Sequence, residues 1–422
     1  MKERIYCCID LKSFFASVEC VERGLDPFTT NLVVADPTRT DKSVCLAITP
    51  AMKELGIKNR CRVFEIPKNV EYIMAKPRMK LYMKKSAEIY SIYLQYIAKE
   101  DIHVYSIDEV FIDLTDYVKI YGKTAHQVAK MLIDRVYEKM GLCATVGIGT
   151  NLFLAKIALD ITAKGSPDFM GYLDEEQFKR TIWHHKPITD IWNIGVGTAR
   201  KLAEYGITDL YGVAHANEKM LYRLFGVNAE LLIDHSKGIE TCTIKDIQSY
   251  KTKHRSLSNS QILFEDYSYI DAFTILKEMV ENLVLEMVEK DLVADGISLG
   301  IGYGNRERST AGGSTSIGGY TNSFNRIMKC FEDYYFKIVD RAEPIRKISV
   351  GLNNVVHEEY STFDLFSSTE KQEKEKELLK TVVGIKKRYG KNALLKGTSY
   401  TEKATGKDRN KMVGGHAGGE DE

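Results

Sequence analysis

Tyr105-Ser106-Ile107-Asp108-Glu109-Val110-Phe111-Ile112-Asp113 places two adjacent carboxylates between runs rich in Val, Ile, Tyr and Phe. The flanks read as two strands, with Asp108 and Glu109 at or next to a tight turn. Such a turn can expose both carboxylates at a sheet edge, where a hard divalent cation collects them. Taken alone, the stretch reads equally well as a polar hairpin tip.

A second stretch decides between the two. Arg4-Ile5-Tyr6-Cys7-Cys8-Ile9-Asp10-Leu11-Lys12-Ser13-Phe14-Phe15 runs from a short apolar strand into an acid, and a helix-like segment follows from Ser13 to Glu22. An acid at the end of a strand, ahead of a helix, is a common place for a metal ligand. Asp10 and Asp108 are far apart in the chain, so only a folded sheet brings them together. Three carboxylates on one sheet edge repel each other without cations. With Mg²⁺ they form a two-metal phosphoryl-transfer site.

Residues 9–19 and 105–113 are similar to the two catalytic motifs of the Y-family, translesion DNA polymerases. Within that family the chain most resembles the bacterial DinB/UmuC (ImpB/MucB/SamB) group, over residues 1–366. The resemblance implies an α+β multidomain right hand. Its palm takes residues 1–30 and 77–179, its small fingers 31–76 and its helix-hairpin-helix thumb 180–240. A linker (241–250), a ferredoxin-like little finger (251–357) and a C-terminal tail (358–422) complete it.

Composition agrees with a soluble, multidomain chain. Its 422 residues are enough for two to four domains. No run of about 18 apolar residues suggests a membrane span, and the N-terminus lacks the apolar core of a signal peptide. Eight cysteines form no CxxC pair, so they read as reduced thiols of a cytoplasmic protein and not as a disulfide framework. A net charge of +1 says little, but its distribution says more. Residues 380–411 hold ten Lys/Arg against two acids, and residues 180–255 hold eleven against eight. Basic segments beside an acidic centre suit a polyanion approaching a metal site, although any one of them reads more readily as a solvated face.

In chain order, Asn31–Ala35 and Val44–Thr49 read as strands, and Pro50–Leu55 as a short helix stopped by Gly56. By resemblance this fingers helix meets the triphosphate. Pro50 and Lys53 stand where relatives carry Tyr and Arg, so Lys53 offers phosphate a point charge without Arg's planar fork. Arg78–Ala98 has helical apolar spacing. Ala125–Met140 reads as a helix, Cys143–Gly149 as a strand and Asn151–Ala163 as a helix. Lys156 and Lys164 bracket that last helix. Lys164 takes the family's triphosphate role, while Lys156 reads equally as an ordinary cation at a helix C-terminus.

Thr189–Leu202 contains Ile194-Gly195-Val196-Gly197-Thr198 and reads as a helix-hairpin-helix. Its glycines let backbone approach phosphate, and amides at the next helix start bind the oxygens. Gly195, Gly197, Thr198 and Lys201 are the candidate DNA contacts there. A second hairpin-like piece is Leu224-Phe225-Gly226-Val227. From 251 onward the pattern is β-α-β-β-α-β, the order of a ferredoxin-like sheet. Lys253, Arg255 and Ser256 on its first strand are candidate template-phosphate contacts. Ser361-Thr362-Phe363-Asp364-Leu365-Phe366 resembles a sliding-clamp-binding peptide, with Thr362, Phe363, Leu365 and Phe366 as its anchors. Residues 367–422 begin with the charged, helix-prone Glu370–Leu379 and end in a Gly-, Lys- and Asn-rich stretch that should be largely disordered alone.

The implied chemistry is template-directed transfer of a deoxynucleotide to a primer 3′-end, using two Mg²⁺ ions. By resemblance, Asp10, Asp108, Glu109 and the Leu11 carbonyl hold the metals. The amides around Ser13, Phe14 and Phe15 touch phosphate. Phe15 is the aromatic ring that excludes a ribose hydroxyl by clash. Expected partners are primer–template DNA, dNTP, a bacterial sliding clamp, and a recombinase filament or UmuD-like activator, with no membrane. The competing readings are a nucleotide cyclase and a catalytically inactive, clamp-tethered accessory protein.

Overall fold

The apolar run before Asp10 is a central strand, buried from both sides, which is why it carries no polar alternation. The computed structural model describes residues 4–38, 40–252, 255–305, 310–360 and 369–419. It divides into two units, Met1–Tyr250 with Gly419–Glu422, and Lys251–Gly418.

The strands of the first unit are β1 (Tyr6–Leu11), β2 (Leu32–Val34), β3 (Ala47–Ile48), β4 (Ile73–Ala75), β5 (Ile102–Val104), β6 (Glu109–Asp113), β7 (Ala144–Gly149) and β8 (Met170–Leu173). One sheet has the order β5-β6-β1-β7-β8, and a smaller one the order β3-β2-β4. The helices Met79–Tyr93 and Ala125–Met140 cover one face of the larger sheet through Tyr82, Ile89, Tyr93, Val128, Leu132 and Val136. Ala125–Met140 starts at a capping box. Gln127 N donates to Thr124 Oγ1 at 3.2 Å, and Gln127 Oε1 accepts from Thr124 N at 2.9 Å.

The opposite face is covered by the segment after β7. It is not the single helix expected over Asn151–Ala163. An α-helix, Leu152–Ile157, passes into a π-turn at Ala158–Thr162 and a 3₁₀ turn at Ala163–Gly165. Two glycines let it lie directly on the sheet. A Cβ at Gly147 would come within 2.1 Å of Ala155 O, and one at Gly149 within 2.4 Å of Ala155 N. Residues 241–250, expected as an open linker, carry the helix Ile244–Ser249. Its Ile244 is buried against Tyr6, Cys8 and Phe111.

Residues 180–240 fold around Phe178, Leu202, Leu210, Leu221 and Ile233. They contain the helices Val196–Ala203, Glu218–Phe225 and Asn228–Ser236.

The second unit is built on β9 (Leu257–Tyr267), β10 (Leu292–Tyr303), β11 (Ala311–Thr321) and β12 (Ile345–Asn353), in the antiparallel order β11-β10-β12-β9. The helices Tyr269–Glu289 and Phe324–Ile338 pack on one face through Leu276, Met279, Val280, Ile327 and Phe331. The helix-prone start of the tail is helical, and its Gly-, Lys- and Asn-rich end, expected to be disordered, is folded. Thr369–Tyr389 is a helix whose Leu379 and Val383 pack against this core. Gly397–Tyr400 and Gly406–Arg409 form short helical turns, and the short strand Met412–Val413 pairs with His416–Ala417. Among the described residues no helix is long and apolar enough to cross a membrane.

Candidate active site

Cross-strand register brings the predicted carboxylates together. β1 and β6 pair antiparallel with Asp10 opposite Glu109. Leu11 N donates to Asp108 O at 3.0 Å, which fixes Asp108 one residue ahead at the same edge. Ser106 Oγ donates to Asp108 Oδ1 at 2.6 Å and orients that carboxylate. Burial, together with the negative charge of Asp108 and Glu109, pushes the Asp10 carboxyl up to about 7.

Glu109 is only 8 % exposed and is held by two donors. Lys156 Nζ donates to Oε2 at 2.9 Å, and Cys8 Sγ donates to Oε1 at 3.1 Å. Lys156 also reaches Asp160 Oδ1 at 3.2 Å. Burial alone would lower the Lys156 pKa, but Asp160, Glu109 and Cys8 around it outweigh burial and raise it. Lys156 is therefore no surface cation answering a helix dipole. It is the counter-charge of a predicted catalytic acid.

Among the described residues, no three of His, Cys, Asp and Glu are gathered into a ready-made cation cage. Glu109 is drawn to Lys156 and Asp108 to Ser106. The donor chemistry still fits hard divalent cations, because hard carboxylate oxygens crowd one edge and Asp10 registers the excess negative charge in its raised pKa.

Beside the acids lie three lysines. Partial desolvation lowers the Lys53 pKa, with Lys164 adding to the effect and Asp10 opposing it. Burial and the charge of Lys53 lower that of Lys12, whose Nζ sits 3.7 Å from the Phe169 ring centroid. Lys12, Lys53 and Lys164 thus converge on the Asp10 side of the sheet edge. Sequence reading found the last two and missed Lys12, although it lies two residues beyond Asp10.

Ser13 turns the chain out of β1 in the left-handed region, at φ 49°, a conformation that costs a non-glycine residue energy. Its Oγ is buried without a hydrogen-bond partner. The turn sends Phe14 into the core, 3 % exposed, and leaves Phe15 half-buried at the edge. The Phe15 ring stacks on Tyr82 at 4.6 Å and 17°. Tyr82 is itself fixed, since its hydroxyl donates to Glu19 Oε1 at 2.7 Å. Arg78 donates to both Glu19 oxygens at 3.0 and 2.8 Å, and Arg23 adds a further ion pair. Hydrogen bonds from Arg78, Tyr82 and Arg23 overcome burial and lower the Glu19 pKa. None of this support was legible from spacing.

The hairpins at Gly195–Gly197 and Gly226–Val227 present open backbone. Nothing lies within 4 Å of a Cβ built on Gly195 or Gly197. Val196 and Val227, at the two hairpin tips, are 78 % and 83 % exposed. Thr198 is half-buried and Lys201 exposed. In the second unit Arg255 and Ser256 are exposed. Ser260 stands in register with Ser349 and Gly300, and Ser258 with Gly351 and Ser298, which leaves the helix-free face of the sheet paved with small residues. Lys253, Thr362, Phe363, Leu365 and Phe366 lie outside the described residues.

The impB/mucB/samB family profile matches residues 9–160, and the profile of that family's C-terminal domain matches residues 254–365. The chain is 32 % identical to the "Putative UV-damage repair protein UvrX" of Bacillus subtilis, over 97 % of this chain and 96 % of that one. It is 27 % identical to a protein named DNA polymerase IV 2 of the same organism, over 99 % of each chain. A solved Y-family DNA polymerase chimera, Dbh-Dpo4(243-245)-Dbh, superposes with a TM-score of 0.66 at 21 % identity, covering 84 % of this chain and 99 % of that one. That likeness is one of fold. The chain belongs to the impB/mucB/samB family of Y-family DNA polymerases.

Proposed function

We propose that the chain is a template-directed, error-prone translesion DNA polymerase acting in DNA damage tolerance. The observation that supports this best is the register of Asp10 against Glu109, with Asp108 at the same edge and three lysines beside them. An acidic edge flanked by cations suits a reaction between a primer hydroxyl and a polyphosphate.

In this reading the primer 3′-hydroxyl attacks the α-phosphorus of a dNTP. One phosphodiester bond forms, the α–β bond breaks, and pyrophosphate leaves. Asp10, Asp108, Glu109 and the Leu11 carbonyl would hold two Mg²⁺ ions, which when bound lower the pKa of the attacking hydroxyl and offset charge on the leaving group. Lys12, Lys53 and Lys164 bind the phosphates. The amides that follow the left-handed Ser13 would add hydrogen bonds to them. Phe15 lies under C2′ of the sugar and rejects ribonucleotides by clash. The hairpins at Gly195–Gly197 and Gly226–Val227 hold duplex phosphate without reading sequence.

Fingers as short as β2, β3, β4 and the helix Pro50–Glu54 leave the templating base little covered, which suits a damaged template. The test is incorporation of single nucleotides opposite an abasic site in a primed template. The reading requires insertion that depends on template, Mg²⁺ and enzyme. A protein that binds the primer–template and inserts nothing, even on undamaged template with sliding clamp present, is the inactive accessory instead.

A further inference from the structure

The tail carries the most lopsided charge in the chain, with ten Lys/Arg and two acids over residues 380–411. The structure sorts these cations. Lys380, Lys387, Lys396 and Lys403 are paired with Asp291, Glu289, Glu281 and Glu265 of the folded unit. These pairs, together with Leu379 and Val383 in the core, dock the segment. Lys391, Lys407 and Lys411 are exposed and have no acidic ion-pair partner among the described residues.

Hydrogen bonds tie together the segments that carry Lys391 and Lys407 and close the turn that begins at Lys411. Asn392 Nδ2 donates to Lys407 O at 3.0 Å, Asn410 Nδ2 to Asn392 Oδ1 at 2.8 Å, and Gly418 N to Lys411 O at 3.1 Å. A buried carboxylate sets where the group sits. Glu278 Oε2 accepts from Thr405 N at 3.0 Å and Gly406 N at 2.8 Å. Glycine at 406 lets the backbone come close to this carboxylate, since a Cβ there would meet Glu278 Oε1 at 2.5 Å. Arg409 then donates to Asn259 Oδ1 at 2.9 Å, and Gln261 Nε2 to Thr405 Oγ1 at 2.9 Å. The basic segment is thereby fastened along β9, the strand that follows the exposed Arg255 and Ser256 and lies at the open edge of its sheet.

We propose that Lys391, Lys407 and Lys411 form a phosphate-binding surface for the duplex of the primer–template, added to the second unit by residues beyond the family's C-terminal profile, which ends at 365. The surface rests on the polymerase reading. It neutralises backbone charge and reads no sequence. Its use is tenacity: a segment held by Glu278 and four ion pairs presents its free cations at small entropic cost.

The experiment uses the full chain and a fluorescent primer–template, with the dissociation constant measured against salt concentration. Lys391→Gln/Lys407→Gln/Lys411→Gln is expected to flatten the log–log salt slope by about 1 or more, since each phosphate contact contributes about 0.9. Its melting curve should match wild type. The comparison variant Lys380→Gln/Lys387→Gln removes paired cations and should flatten the slope less. Equal flattening by the two variants would reduce the effect to net charge and overturn the proposal. An unchanged slope in the triple variant would also overturn it and leave the patch to an acidic protein. A wild type that binds no primer–template would instead sink the polymerase reading, an outcome separable from both.

Discussion

Lys156 Nζ lies 2.9 Å from Glu109 Oε2, with each side chain only 10 % exposed. The pair exists because Gly147 and Gly149 let the segment after β7 rest on the sheet backbone, setting Lys156 above the strand pair that carries Asp10 and Glu109. A buried ion pair contributes little net stability, but breaking one partner away from it is costly. Lys156 therefore governs the carboxylate that the proposed chemistry must release to a cation.

Lys156→Met should destabilise the metal-free protein by about 3–5 kcal/mol, because Glu109 is left buried with only the Cys8 thiol. The same variant removes a competitor for Glu109, so Mg²⁺ should restore more of its melting temperature than it adds to wild type. Thermal melts with chelator and with Mg²⁺ measure both effects. Equal melting of variant and wild type in chelator would contradict the assignment.

Asp10 predicts a pH dependence. Its folded pKa is pushed up to about 7 from an ordinary value of 3.8. The folded state thus binds a proton that the unfolded state has lost, and stability falls as pH rises from about 4 to about 7, with the full penalty above that. Without divalent cation, Asp10→Asn should melt higher than wild type at pH 8, and the two should converge toward pH 4. Mg²⁺ at pH 8 should narrow the gap by stabilising wild type. A gap of constant size across this range would show that Asp10 is not in the environment described.

Phe15→Ala should lower the ratio of dNTP to rNTP insertion efficiency by at least about tenfold, which is about 1.4 kcal/mol of transition-state discrimination. Tyr82→Phe keeps the ring under Phe15 and loses only the hydrogen bond to Glu19, so its effect should be smaller. Steady-state insertion of matched dNTP and rNTP measures the ratio. Unchanged discrimination in Phe15→Ala would return that ring to the core.

Lys12→Ala should raise KM for dNTP by about 10- to 100-fold, the worth of one hydrogen bond to a charged group, with a smaller effect on kcat. The variant tests a residue that lies two places beyond Asp10 and that the sequence motif did not single out. A fall in kcat with KM unchanged would place Lys12 elsewhere in the reaction.

Much of the first unit was legible because its signals are local. The strand ahead of Asp10, the turn at Asp108 and the Ile194–Thr198 hairpin each carry their own residues. The elements of the second unit were legible for the same reason, through their periodicity. The supports of the site were not, since Lys156, Tyr82, Glu19 and Arg78 act across long sequence separations through geometry that no spacing encodes. The docked tail did leave a signal. The helix Tyr269–Glu289 is apolar nearly all round, with Phe273, Leu276, Met279, Leu283, Leu285 and Met287 all buried. A helix of that kind needs cover on more than one face, and part of the cover comes from Thr369–Tyr389. The charge of that segment hid its apolar positions, because Leu379 and Val383 lie among lysines and glutamates.

The central claim is that Asp10, Asp108 and Glu109 form one catalytic edge. Primer extension on a primed DNA template with Mg²⁺ and dNTPs tests it most directly, comparing wild type with Asp108→Ala/Glu109→Ala. The account predicts extension by wild type and none by the variant, with primer–template binding kept by both. Extension by the variant at the wild-type rate would contradict it.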